Sequence, residues 1–127
     1  MRYNKYLNKK TEVDGIVFDS KKEADYYLFL KQLEKNGEIS NLRLQVPFEV
    51  IPAVYGRRVK HLKTKDKIEP YCVQKSTHYV ADFVYIVTKS GEQVVVDVKS
   101  PITRKNPEYR LKKKMMLAFN GITITEV

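Results

Sequence analysis

Apolar positions along this chain switch between a period near 3.6 and a period of 2, and each switch predicts a new element. In DSKKEADYYLFLKQLEKNGE, Ser20 can serve as an N-cap and Gly37 stands just past the last turn, so the spacing predicts a helix over about 20–36. Next, ISNLRLQVPFEVIP alternates Leu42, Leu44, Val46, Phe48 and Val50 with Arg43, Gln45 and Glu49, the pattern of a half-buried strand. Pro47 points to an edge or a bulge there. The strongest hairpin signal is HYVADFVYIVTKSGEQVVVDVKS, in which two β-branched and aromatic runs flank Ser90-Gly91. After Pro101, Asn106-Pro107-Glu108 reads as N-cap, first helical residue and dipole-matched acid, opening a helix to about Phe119. Leu111, Met115 and Ala118 are its expected apolar line, with Lys112, Lys113 and Lys114 on its other faces. ITITEV reads as a last short strand. The expected order is helix, strand, hairpin of two strands, helix, strand, in one domain spanning residues 1–127.

Residues 53–77 fit neither period. They hold Arg57, Arg58, Lys60, Lys63, Lys65, Lys67 and Lys75 and read as a basic, partly flexible excursion. A solvated loop, an irregular hairpin and a DNA-contacting arm all fit that composition.

Charge sharpens the choice of partner. The 24 Lys+Arg against 15 Asp+Glu give a net charge of +9, which favours a polyanion such as nucleic acid. MRYNKYLNKK is basic without a following apolar run, and no uncharged apolar run reaches membrane-spanning length, so no membrane partner and a cytoplasmic location are expected. One cysteine, Cys72, excludes an intrachain disulfide and a Cys-rich zinc site, and His61 and His78 lack zinc spacing. A metal here needs oxygen ligands.

VVVDVKSP, residues 94–101, supplies them. Period 2 places Asp97 and Lys99 on one face of a strand that otherwise reads as core. A two-residue turn would pair Lys89 with Glu92, setting Asp82 opposite Lys99 and Val84 opposite Asp97, so that Asp82, Asp97 and Lys99 share a face. A four-residue turn preserves that sharing, whereas a three-residue turn separates the aspartates. A buried Asp-Lys pair is a poor stability device, because desolvating both charges costs several kcal/mol. Two neighbouring carboxylates and a lysine are better explained by Mg2+ or Mn2+, with Lys99 assisting the attacking water or the phosphate charge. Tyr79, Phe83 and Tyr85 are expected to pack in the core on the other hairpin face.

Asp82, followed after a hairpin by Asp97-Val98-Lys99, resembles the PD-(D/E)xK motif of restriction-endonuclease-like nucleases, with Ala81 where many members have proline. More closely, the chain resembles a family of small phage-associated proteins of that superfamily, through residues 13–45, YVADFVY, VVVDVKS and ITITEV. The resemblance implies an α/β fold with an αβββαβ core, its mixed central sheet flanked by helices. It also implies that Glu23, on the first helix, completes the metal set, as in resolvase-like members. Read locally, Ser20-Lys21-Lys22-Glu23 is equally a capping box. Gln45 is a weaker candidate beside the site. The expected activity is Mg2+- or Mn2+-dependent endonucleolytic hydrolysis of DNA, with branched or recombination intermediates as a substrate class. Arg57, Arg58, Lys60, Lys112 and Lys113 are the expected DNA contacts. A homodimer is compatible with this reading, as is host-cell cytoplasm for a phage-encoded chain. Two alternatives stand beside it: a non-catalytic nucleic-acid-binding module, or a basic interaction protein, of a phage replication or packaging complex.

Overall fold

The computed structural model describes residues 10–127, so the basic N-terminal stretch lies outside the described residues. The chain is a small mixed α/β domain built on a four-stranded mixed sheet with helices against it. It opens with a hairpin that the periodicity did not reveal, β1 (Thr11–Val13) and β2 (Ile16–Phe18). Asp14 and Gly15 form its turn with φ of 53° and 76°, the doubly left-handed pair that suits the twist of two short strands. Helix α1 (Lys21–Lys35) follows, with the Ser20 hydroxyl accepting the Glu23 amide at 3.1 Å. It ends at Asn36, ahead of Gly37.

The expected first strand is β3 (Ile39–Ile51), whose thirteen residues include Pro47. The excursion is ordered as an antiparallel ribbon of β4 (Val54–His61) and β5 (Asp66–Gln74). The chain re-enters the sheet as β6 (Thr77–Val87), turns, and returns as β7 (Gln93–Asp97). One short helical turn, α2 (Pro101–Arg104), precedes α3 (Pro107–Asn120). The last strand is β8 (Ile124–Glu126). The sheet order is β3-β6-β7-β8, antiparallel except for the β7–β8 pair. Among the described residues no helix is long and apolar enough to cross a membrane.

Helix α3 starts and stops where its caps demand: the Asn106 side chain accepts the Tyr109 amide at 3.1 Å, and Gly121 adopts φ 66°. Its inward face is rotated from the expected one. Tyr109 and Met116 are buried, while Leu111 and Ala118 are exposed and Met115 is only half-buried. The reason is that Tyr109, two residues before Leu111 and so on a different face, packs with Val95 of β7.

The core is divided. On one side of the sheet Phe83 and Val96 pack with Phe18, Tyr27 and Leu30 under α1; on the other, Val84 and Val95 pack with Tyr109 and Met116 of α3. Parity then breaks. Leu42 and Leu44 face the α1 side, but Val46 and Phe48, still even-numbered, face the α3 side; likewise Phe83 and Ala81 lie on opposite sides. In an undisturbed strand, residues two apart share a face. The break falls between the paired positions Leu44↔Phe83 and Val46↔Ala81, at Gln45, which holds φ 50°, and Asp82. This exchange of faces is the seam on which the candidate site is built.

Candidate active site

Register decides how the aspartates meet. The turn has four residues, closed by the Val87 amide on the Glu92 carbonyl at 2.9 Å, and the pairs run Ile86↔Gln93 to Phe83↔Val96. Continued by one residue, this places Asp82 opposite Asp97. The expected partners, Asp82 with Lys99 and Val84 with Asp97, are therefore corrected by two residues, because Thr88 to Gly91 and not Ser90-Gly91 alone make the turn. An even shift leaves faces unchanged.

Each carboxylate is held by a different element. Asp82 accepts the Val98 amide at 2.9 Å and the Gln45 side-chain amide at 3.2 Å. The same Gln45 nitrogen reaches Glu23 at 3.3 Å, so one amide, aimed by a left-handed backbone, ties α1 to the hairpin. Asp97 is 2 % exposed. Its Oδ2 accepts the Tyr79 hydroxyl, while its Oδ1 has no hydrogen-bond partner among the described residues and lies 3.4 Å from the Lys99 ammonium. Lys99 in turn sits 4.9 Å from the centre of the Tyr109 ring, a cation–π distance. Beyond Asp97, β8 pins the strand, with the Lys99 amide on the Val127 carbonyl and the Val127 amide on the Asp97 carbonyl, both at 3.1 Å.

Two cavities meet at Lys99. One, of about 270 Å³, is lined by Glu23, Asp82, Asp19, Lys22 and Ser100; the other, of about 340 Å³, by Asp97, Tyr79, Tyr109, His78 and Lys112. Burial, with the negative charges of Asp82, Asp19 and Asp97, pushes Glu23 up to about 7. Burial and the adjacent Asp82 carboxyl push Asp97 up to about 7, against the opposing pull of Tyr79 and Lys99. Burial and the bond to Asp97 raise the Tyr79 hydroxyl. The arrangement concentrates more negative charge than its own lysine offsets.

Two of the expected residues, Glu23 and Asp82, thus meet at Gln45; Asp97 interacts with Asp82, and Lys99 stands beside Asp97. Among the described residues, no three His, Cys, Asp or Glu side chains are arranged to hold a metal ion as they stand. The donor chemistry nevertheless suits a hard cation: carboxylates only, two of them raised by burial and by the neighbouring Asp82, and one buried oxygen without a hydrogen bond among the described residues. Glu23, Asp82 and Asp97 are the residues that would hold it.

The expected DNA contacts are placed differently. Arg57, Arg58 and Lys60 lie on the β4–β5 ribbon and line neither cavity. Lys112 and Lys113 are half-buried and ion-paired, Lys112 with Glu108 at 3.2 Å and Lys113 with Glu126. Tyr79 is buried as expected, but on the α3 side and bonded to Asp97; only Phe83 and Tyr85 pack toward α1. Strict alternation hid this, since the seam reverses its face. Tyr109 carried no sequence signal beyond its apolar ring.

Among known proteins, the family described as "Protein of unknown function (DUF1064)" matches residues 3–125. No curated protein and no solved structure matches the chain.

Proposed function

The chain belongs to that DUF1064 family, and for it we propose a metal-dependent endonuclease that hydrolyses DNA phosphodiester bonds in a restriction-endonuclease-like site. The observation that carries the reading is the meeting of Glu23, Asp82 and Asp97 at one seam beside Lys99, with a buried Asp97 oxygen left without a hydrogen bond. Such a cluster opposes folding, and a structural role does not repay it. The order α1, β3, β6, β7, α3, β8, with the two hairpins set aside, supports the same reading.

A bound Mg2+ or Mn2+ would polarise the phosphate and acidify a water. The chain's own groups do the rest. Gln45 holds Glu23 and Asp82 through one amide, Tyr79 fixes one oxygen of Asp97 and leaves the other to Lys99, and Lys99 supplies positive charge where a phosphate gains negative charge. Thr103 and Ser100 border the same cavity and offer hydroxyls to phosphate oxygens.

The test is incubation of the protein with linear, flapped and four-way DNA in Mg2+, Mn2+ or EDTA. Metal-dependent cleavage, lost in Asp97→Ala, is expected. The non-catalytic binding module draws on one observation, the lack of a ready-made three-ligand cluster among the described residues. It takes over if no DNA form is cut, or if Asp97→Ala cuts as well as the parent.

A further inference from the structure

Among the described residues the β4–β5 ribbon pairs with no other strand, and a free two-stranded ribbon is marginally stable in water. Its register sorts the side chains into two unlike faces. Tyr55, Arg57 and Val59 share a face with Cys72, Pro70 and Ile68; Arg58 and Lys60 share the other with Glu69 and Lys67. On that second face Lys60 and Lys67 are directly opposed, a like-charge pair that weakens the ribbon. Lys63 and Lys65 follow at the tip. Among the described residues these four lysines have no ion-pair partner, whereas Arg58 is held by Glu69 at 3.0 Å and His61 by Asp66 at 2.8 Å.

We propose that this face and tip form a clamp for double-stranded DNA, with Lys60, Lys63, Lys65 and Lys67 on its phosphates. The inference rests on the reading of the chain as a DNA-processing protein and names the form of DNA it holds. A polyanion relieves the opposed ammoniums, and a two-stranded ribbon is of a width that a duplex groove admits. A single strand is held by stacking platforms. The only aromatic ring on the basic face, Tyr71, is covered by the Arg58 guanidinium at 5.4 Å. An anionic membrane would meet the apolar face, which leaves the lysines pointing away from the headgroups. Ammoniums are point charges and the one fork on this face, Arg58, is engaged by Glu69, so the clamp reads phosphates and not bases. From Thr77, where the ribbon rejoins the sheet, five residues of strand lead to Asp82, about 17 Å, half a turn of duplex.

The test is fluorescence anisotropy in EDTA, using a labelled 25-base-pair duplex, the matching single strand, and vesicles rich in phosphatidylserine. The full chain is compared with a variant carrying Lys60→Gln, Lys63→Gln, Lys65→Gln and Lys67→Gln, and with a control carrying Lys31→Gln and Lys35→Gln. Duplex should bind more tightly than single strand. The ribbon variant should lose at least tenfold in affinity, and its log–log salt slope should flatten by up to about 3.6, at about 0.9 per phosphate contact. The control should keep the parent slope. An unchanged slope in the ribbon variant, equal affinity for single strand, or binding to vesicles in place of duplex overturns the clamp. Because EDTA removes metal, duplex binding without any cleavage in Mg2+ sinks the nuclease reading and leaves the clamp standing.

Discussion

Replacing Glu23 by Gln should stabilise the protein, and by an amount that depends on pH. Its carboxyl is raised from 4.5 to about 7 by burial and by Asp82, Asp19 and Asp97, so the folded chain holds this proton more tightly than the unfolded chain does. The stability that it contributes is therefore fully present below 4.5 and is lost as pH rises through 7. Fully ionised, such a carboxyl carries about 3 kcal/mol of unfavourable free energy, which solvent in the open cavity beside it reduces to about 2 kcal/mol. Glutamine removes the charge and keeps an oxygen for the Gln45 amide. At pH 8 the variant should be about 2 kcal/mol more stable than the parent, a rise of about 8 °C in melting temperature. At pH 5 the gap should shrink below about 1 kcal/mol. Urea denaturation at the two pH values measures both. A variant that is no more stable at pH 8, or a gap that does not narrow on acidification, would refute the claim that carboxylate repulsion is stored at this seam.

Tyr79→Phe should cost about 1.5–3 kcal/mol by equilibrium unfolding, because the buried Asp97 Oδ2 loses a donor to a charged group. Gln45→Val should destabilise by about 1–2 kcal/mol, since a β-branched residue fits φ 50° less well than Gln and Glu23 and Asp82 lose their shared amide donor, while Gln45→Gly should relieve the backbone strain yet lose metal-dependent cleavage, which separates backbone from side chain. Phe83→Ala, in the fully buried α1-side core, should cost about 3–5 kcal/mol, read from the shift in denaturation midpoint. Asn106→Ala should cost about 1 kcal/mol and leave cleavage unaltered, since the cap serves α3 alone.

Where local chemistry decides, the sequence was legible. Ser20 and Gly37 bounded α1, and Asn106 opened α3, because caps act within a turn of themselves. The hairpin was legible too, because a two-residue slip of its register still pairs the same two runs. What escaped depends on distant partners. The inward turn of α3 follows from Tyr109 finding Asp97 and Lys99, and the pairing of Lys113 with Glu126 from β8 lying beside it. The seam at Gln45 and Asp82 escaped because neither residue is a glycine, and nothing in a polar residue between two leucine-like positions announces φ 50°. Asp14-Gly15 is the opposite case: a plain turn dipeptide whose flanking strands are too short for alternation to show.

Asp82 has one neighbour in each half of the divided core: Ala81 faces the α3 side and Phe83 the α1 side. The seam therefore acts as a fulcrum. A tilt of α1 is delivered to Asp82 through Phe83, and to Glu23 directly, while a tilt of α3 reaches Asp97 through Tyr109 and Tyr79. Misalignment in either half is converted into a change in carboxylate spacing, the distance on which the proposed chemistry depends. Packing substitutions far from the seam should thus be felt there before they are felt in overall stability. The two helices are levers on a single gap.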